Sequence, residues 1–186
     1  MNGTSKKIIK IFGKNNLQPL KMDVPSDPSS AAFFTALTLL NKDSKLIIKN
    51  VGLNPTRIGF YKLLKAQGSH IKFKNLKNIN KEVIGDIYVK SSKMKPIKAS
   101  KKYYVNSTDE YPILFVIAAL TNGISIFEGI SDLANKESNR IKEMQNILRQ
   151  IGIKSIATKD KFKIFGKKDL NFRNRKIYVP NLGDHR

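Results

Sequence analysis

The 186-residue chain contains no cysteine, no tryptophan and only two histidines, His70 and His185. The absence of cysteine excludes disulfide frameworks, thiolate metal sites and a cysteine nucleophile within this sequence, and two histidines argue against a histidine-rich metal centre. Long apolar runs are absent too, because the longest, Ile113–Leu120, falls far short of the ~20 residues that a membrane-spanning helix needs. We therefore expect a cytoplasmic protein without a metal site or a membrane span.

Acidic residues are also scarce, since 14 Asp and Glu stand against 35 Lys and Arg and the formal net charge is +21. Such a charge suits nucleic acid, whose phosphates bind basic side chains with release of counterions. However, only six of the basic residues are arginine, the residue whose bidentate fork reads nucleic acids best. We therefore favour a solvated basic surface or a basic cleft for small anions. A nucleic-acid-binding protein without catalysis remains the alternative.

The order of the predicted elements is repeated along the chain. An apolar helix over 29–40 follows Asp27 and Pro28, and a second one over 111–120 follows Asp109, so that both aspartates resemble helix caps. A strand, an amphipathic helix, a terminating glycine and two more strands follow each apolar helix. The matching pairs are Asp27 and Asp109, Arg57 and Arg140, and Gly68 and Gly152, at offsets of 82, 83 and 84. These steady offsets predict a duplicated β-α-β-α-β-β unit, and hence an α/β or α+β fold.

A polar cluster over 135–140 opens the second amphipathic helix, which we predict over 137–150. It brings two cations, Lys136 and Arg140, to a helix N-terminus, where they oppose the positive end of the helix dipole. An anionic ligand would resolve that conflict. A solvated ion pair between Glu137 and Arg140 accounts equally well for the charged residues of this cluster.

Five ordered motifs resemble those of the 5-enolpyruvylshikimate-3-phosphate (EPSP) synthase family, and most closely its class II bacterial branch. They are VPSDPSSAAFF (24–34), NPTRIGF (54–60), DEYPILFVIAAL (109–120), NKESNR (135–140) and GDHR (183–186). The resemblance implies an inside-out α/β barrel of the enolpyruvyl transferase type, built from repeated β-α-β-α-β-β units. A related family that acts on UDP-N-acetylglucosamine shares this fold, but the KESNR and DEYP runs favour the shikimate enzyme.

The resemblance also implies a reaction, the transfer of the carboxyvinyl group of phosphoenolpyruvate to the 5-hydroxyl of 3-phosphoshikimate. Phosphate is released, and neither a metal nor an organic cofactor takes part. By the same resemblance, Asp109 is the base and contacts 3-phosphoshikimate, Lys136 also contacts 3-phosphoshikimate, and Glu137 donates the proton. Arg140 and Arg186 bind phosphoenolpyruvate, whose carboxylate and phosphate suit guanidinium forks.

Several substrate-binding motifs of the family do not occur in this sequence. They are the Lys-Ser phosphate motif, the Asn-Ala-Gly-Thr loop and the Ser-Ser-Gln strand of the family's first half. We therefore expect residues 1–23 to end the other domain, and residues 24–186 to form most of the C-terminal domain, truncated at its end. The reaction would then need the missing N-terminal half, because catalysis encloses both substrates between two domains and excludes water. The isolated chain is expected to have negligible turnover.

Overall fold

The computed structural model describes residues 10–13, 16, 19, 22–171 and 176–184. The described α-helices are α1 (Pro28–Leu40), α2 (Gly59–Ala66), α3 (Tyr111–Ala119) and α4 (Arg140–Gln150). The described strands are β1 (Lys45–Gly52), β2 (Ile71–Ile79), β3 (Glu82–Lys90), β4 (Lys98–Ala99), β5 (Gly123–Glu128), β6 (Lys154–Ala157) and β7 (Lys161–Gly166). Three short 3₁₀ helices cover Lys101–Tyr103, Thr108–Glu110 and Ser131–Asn135. This mixture of alternating helices and strands confirms the predicted α/β class.

The two halves of the chain form sheets of the same topology, as the predicted duplication requires. In the first sheet the strand order is β1-β3-β2, and in the second sheet β5, β7 and β6 follow the same order. All of these pairings are antiparallel, and β4 adds to β5 in parallel at the edge of the second sheet. A single parallel bridge from Ser26 to Val51 takes a similar place beside β1. The sequence also predicts extended segments over 7–12 and 20–24, and both lie partly outside the described residues.

Aromatic rings fill the core between α3 and the second sheet. Tyr111, Phe115, Phe127 and Phe162 are fully buried. Their rings meet edge to face in T-shaped pairs, with centroids 4.8 Å apart for Phe115 and Phe127 and 5.9 Å apart for Tyr111 and Phe115. Such pairs stabilise a core by about 0.5–1.5 kcal/mol each beyond the burial of their area. The packing fixes α3, and with it the 3₁₀ helix Thr108–Glu110 that carries Asp109.

The composition of α1 predicts a helix buried on every side, and this prediction is wrong for one face. Phe33, Phe34 and Leu37 are 45%, 60% and 61% exposed, respectively. Phe115, which matches Phe33 at the offset of 82, is fully buried in α3. The two helices share an apolar composition, but only α3 has packing partners around all of it among the described residues.

Two helices begin later than their sequences predict. The N-cap of α4 is Asn139, whose side chain accepts a hydrogen bond of 3.0 Å from the backbone N–H of Lys142. Glu137, the first residue of the predicted helix, therefore lies in the loop before α4, together with Lys136. Similarly, the amphipathic pattern over 57–67 predicts a helix that starts at Arg57, but α2 begins at Gly59 and leaves Arg57 in the preceding loop.

The predicted symmetry of the two aspartate caps is only half correct. Asp27 caps α1, because its carboxylate accepts hydrogen bonds from the backbone N–H groups of Ser29 and Ser30 at 3.3 and 2.9 Å. Asp109 instead lies inside the 3₁₀ helix Thr108–Glu110, and no side-chain cap hydrogen bond is found at the start of α3 in the described part of the chain. The carboxylate of Asp109 therefore does not serve as the cap of this helix.

Gly166, at the end of β7, offers a direct test of this packing. A Cβ atom at this position would overlap the backbone carbonyl oxygens of Ala118 and Thr121. We expect Gly166→Ala to lower the free energy of unfolding by about 1–3 kcal/mol, measured by urea denaturation, because backbone atoms cannot easily move aside. Gly13→Ala is the control, since nothing lies within 4 Å of its added Cβ. Equal stability of the two variants would contradict the packing described here.

Candidate active site

The guanidinium of Arg140 lies at the centre of a cluster of three carboxylates. Its Nε donates to Oδ2 of Asp184 at 2.9 Å, and its Nη2 donates to Oδ1 of the same carboxylate at 3.3 Å. Nη2 also donates to Oε2 of Glu137 at 2.8 Å, and Nη1 donates to Oδ1 of Asp109 at 3.5 Å. Three of the five predicted site residues, Asp109, Glu137 and Arg140, are therefore brought together.

Burial divides this cluster into an inner and an outer part. The side chains of Arg140 and Asp184 are only 4% and 5% exposed, whereas those of Asp109 and Glu137 are 43% and 53% exposed. The carboxylate of Asp184 fixes the guanidinium of Arg140 through two parallel hydrogen bonds, the strongest geometry available to an arginine and a carboxylate. The outer carboxylates are open to solvent, and hence to a small molecule that approaches from that side.

The pKa of Arg140 reflects two opposing effects. Burial disfavours the charged guanidinium, but the hydrogen bond and the charge of Asp184 oppose it. Together with Glu137 and Asp109, they raise the pKa of Arg140 above its ordinary value. The guanidinium is therefore a permanent positive charge at the base of an acidic site.

Each member of the cluster comes from the start of a helix or from the far end of the chain. Asp109 lies in the 3₁₀ helix that precedes α3, Glu137 lies in the loop before α4, and Arg140 is the first residue of α4. Asp184 reaches the cluster from the C-terminal segment, where Ser138 Oγ also donates to its Oδ2 at 2.9 Å. Asp184 has no predicted role, although it belongs to the GDHR motif that contributes to the resemblance to the family.

Of the remaining two predicted site residues, Lys136 is described and is not part of this cluster. The ammonium of Lys136 forms an ion pair of 2.6 Å with Oδ2 of Asp132, rather than with a carboxylate around Arg140. Arg186 lies outside the described residues. Its predicted contact with phosphoenolpyruvate stays a prediction.

A cavity of about 430 Å³ opens beside the cluster, between α4 and the segment 176–184. Two hydrogen bonds connect Gln150 of α4 to this segment. The side-chain amide of Gln150 donates to the carbonyl oxygen of Tyr178 at 2.9 Å and accepts from the backbone N–H of Tyr178 at 2.7 Å. The wall is largely apolar, with Met144 and Leu182 among its members. Its charged lining groups are two arginines, Arg140 and Arg149, and two carboxylates, Glu143 and Asp184.

A second polar cluster joins the two copies of the repeated unit next to Asp109. The buried hydroxyl of Ser29 donates to Oε1 of Glu110, whose side chain is also buried. Arg57 Nη2 donates to Oγ of Ser29 at 3.2 Å and to Oδ1 of Asp27 at 3.1 Å. The start of α1 is thereby tied to the residue that follows Asp109.

The buried carboxyl of Glu110 predicts a dependence of stability on pH. Burial raises its pKa, an effect that the hydrogen bond from Ser29 only partly offsets. A group whose pKa is raised on folding stabilises the fold below its unfolded-state pKa, and this stabilisation is lost as the pH rises through its folded-state pKa. We therefore expect Glu110→Gln to gain stability relative to the unmodified chain between pH 4 and pH 8.

Urea denaturation across that pH range measures this difference. Glu128→Gln is the matched control, because the carboxylate of Glu128 is 42% exposed in its ion pair with Lys161. A constant difference between Glu110→Gln and the unmodified chain at every pH would show that Glu110 does not titrate in this range.

Two features are absent from the described residues, a metal-binding cluster and a membrane-spanning helix. In that part of the chain, no group of three or more His, Asp or Glu side chains is arranged to hold a metal ion. No helix there combines the length and the apolar character needed to cross a bilayer.

Comparison with known proteins gives a consistent result. The model of the family described as EPSP synthase (3-phosphoshikimate 1-carboxyvinyltransferase) matches residues 1–186. The 3-phosphoshikimate 1-carboxyvinyltransferase of Persephonella marina is 40% identical over 179 residues, which cover 96% of this chain and 40% of that protein. Its counterpart in Aquifex aeolicus is 39% identical over 180 residues, which cover 96% of this chain and 41% of that protein.

A solved structure agrees with these sequences. The EPSP synthase from Acinetobacter baumannii superposes with a TM-score of 0.75 at 36% identity, covering 78% of this chain and 33% of that structure. The chain thus spans about 40% of the length of the curated relatives that it matches. These matches favour the shikimate enzyme over the related UDP-N-acetylglucosamine transferase and over the nucleic-acid-binding alternative.

Proposed function

This chain belongs to the EPSP synthase family, and on that premise we propose that it contributes part of the active site of a 3-phosphoshikimate 1-carboxyvinyltransferase. The whole enzyme would transfer the carboxyvinyl group of phosphoenolpyruvate to the 5-hydroxyl of 3-phosphoshikimate. The observation that carries this proposal is the convergence of Asp109 and Glu137 on the guanidinium of Arg140. Two carboxylates and a fixed cation at one open site are the groups that this reaction requires.

The proposed chemistry gives each carboxylate one proton to handle. Asp109 accepts the proton of the 5-hydroxyl while the oxygen bonds to C2 of phosphoenolpyruvate, and Glu137 supplies a proton to C3. The tetrahedral intermediate then loses phosphate from C2 and returns a proton from C3 to the carboxylate of Glu137, which restores the double bond. Arg140 and Arg186 would hold the carboxylate and phosphate of phosphoenolpyruvate, and Lys136 would bind 3-phosphoshikimate.

The reaction also needs protein that this sequence does not supply. The first-half substrate motifs of the family are absent from the chain, and the chain matches only about 40% of its relatives' length. The apolar face of α1, with Phe33, Phe34 and Leu37 exposed, would suit packing against further protein. We propose that residues 24–186 form most of the C-terminal domain and that the other half of the enzyme completes the site. The cytoplasmic location stays a prediction.

A chimera tests this proposal. The matched segment of the Aquifex aeolicus relative, 180 residues long, is replaced by this chain. Phosphate release is then followed with phosphoenolpyruvate and 3-phosphoshikimate. We expect turnover by the chimera and negligible turnover by the isolated chain, because water must be excluded from a closed site. A chimera that unfolds cooperatively in urea, and is therefore folded, but releases no phosphate would contradict the proposal.

A further inference from the structure

Lys136 has a defined set of partners that the sequence did not indicate. Its Nζ lies 2.6 Å from Oδ2 of Asp132, and the hydroxyl of Tyr104 donates to the same oxygen at 3.0 Å. Asp132 and Lys136 lie four residues apart, at opposite ends of the 3₁₀ helix Ser131–Asn135. Tyr104 comes from the other side of the site, in the turn after the 3₁₀ helix Lys101–Tyr103.

The phenol of Tyr104 is a rigid anchor for this arrangement. The residue is only 8% exposed, and its ring packs edge to face on the fully buried ring of Tyr111, with centroids 5.3 Å apart. Tyr111 in turn packs on Phe115 and Phe127 in the core. The hydroxyl is therefore fixed relative to α3, and the 3₁₀ helix before α3 carries Asp109. A rigid donor at this point determines where the carboxylate of Asp132 lies.

The charge states of these groups agree with the geometry. Hydrogen bonds from Lys136 and Tyr104 lower the pKa of Asp132, so its carboxylate stays ionised near neutral pH. Burial and the neighbouring carboxylate raise the pKa of Tyr104, so its hydroxyl keeps the proton that it donates. One ionised oxygen thus accepts from both a phenol and an ammonium.

The ammonium of Lys136 has hydrogen-bond donors available for a ligand. A lysine side chain has three N–H donors and can rotate freely about several bonds when nothing holds it. Asp132 occupies one donor and leaves two for an anion or a hydroxyl. The side chain of Lys136 is 30% exposed, so these donors can be reached from solvent.

We propose that Asp132, held by the hydroxyl of Tyr104, positions the ammonium of Lys136 to receive 3-phosphoshikimate. This inference rests on the proposed function, since it assigns Lys136 to that substrate. Asp132 and Tyr104 are positioning residues, because they act through Lys136 and take no part in the bond changes. Their removal should weaken the binding of 3-phosphoshikimate without slowing the chemical step.

The first measurement concerns the lysine itself and needs no substrate. The order parameter of the Lys136 ε-methylene is measured by ¹³C relaxation in the full 186-residue chain. We expect it to fall in Asp132→Asn, which removes the charge but keeps the shape, and to fall less in Tyr104→Phe, which keeps the anchoring ring. Glu128→Gln is the control, because it breaks an exposed ion pair of similar length, 2.8 Å, with Lys161. An unchanged order parameter in Asp132→Asn overturns the proposal.

The second measurement is kinetic and uses the chimera. We expect Asp132→Asn to raise KM for 3-phosphoshikimate about tenfold with little change in kcat, which is the signature of lost uniform binding. A smaller rise of KM is expected for Tyr104→Phe, and KM for phosphoenolpyruvate should stay constant in both variants. A fall in kcat at constant KM would overturn the positioning role.

The two measurements separate failure of this inference from failure of the proposed function. If the unmodified chimera is folded but inactive, the proposed function fails, and the assignment of Lys136 to 3-phosphoshikimate fails with it. The order parameter still decides whether Asp132 holds the ammonium in place. If the chimera is active but Asp132→Asn leaves either the order parameter of Lys136 or KM for 3-phosphoshikimate unchanged, this inference alone is overturned.

Discussion

Replacement of Glu137 by glutamine in the active chimera is expected to lower kcat by about 10²–10⁴-fold, the usual contribution of a positioned general acid or base. Glutamine keeps the shape of the side chain and can still accept the hydrogen bond that Glu137 receives from Arg140 at 2.8 Å. It cannot donate a proton to C3 of phosphoenolpyruvate. The loss should therefore fall on kcat, with a small change in KM for either substrate.

Steady-state phosphate release measures this effect. Glu128→Gln is the control, because it makes the same substitution at an ion pair of 2.8 Å with Lys161 that lies outside the proposed site. Denaturation in urea should show that both variants are folded. A folded Glu137→Gln chimera that keeps more than about a tenth of the original kcat would remove Glu137 from its proposed role as proton donor.

Replacement of Arg140 by methionine is expected to have the largest effect on stability. Methionine keeps most of the aliphatic volume, but it deprives the buried carboxylate of Asp184 of the guanidinium that compensates for its burial. Removal of one member of a buried ion pair typically costs about 3–5 kcal/mol. We expect the free energy of unfolding to fall by that amount, as measured by urea denaturation of the full chain.

Arg57→Met is the matched control for this experiment. Arg57 also pairs with an aspartate, Asp27, at 3.1 Å, but its side chain is 52% exposed and that of Asp27 is 41% exposed. An exposed pair of this kind contributes about 0–1 kcal/mol. Similar losses for the two arginines would show that the burial of Arg140 and Asp184 does not set the stability of the site.

The order of the elements could be predicted from the sequence because its signals are local. Asp27 followed by Pro28 marks the start of α1, and both caps and first-turn prolines act within a few residues. Gly68 and Gly152 end their helices with positive φ angles of 91° and 78°, a conformation that glycine adopts without strain. The predicted start of α4 was too early. At α4, the side chain of Asn139 caps the helix and leaves Lys136 and Glu137 in the loop.

The exposure of α1 shows a second limit of sequence reasoning. The apolar helices α1 and α3 have similar compositions, yet Phe33 is 45% exposed and its counterpart Phe115 is fully buried. Hydrophobic patterning indicates which faces can be buried, but not whether a neighbour is available to cover them. The difference depends on packing between elements that are distant in the chain.

The fold class, the duplicated order of elements and the resemblance to a family all follow from the amino-acid sequence alone. The sequence also marked Asp109, Glu137 and Arg140 as site candidates. Their contacts became visible only in the folded chain. Arg140 contacts Asp109, 31 residues away, and Asp184, 44 residues away. Lys136 pairs with Asp132 and not with a carboxylate around Arg140. The physical reason is that caps and periodicity depend on nearby residues, whereas these contacts depend on how α3, α4 and the C-terminal segment pack together.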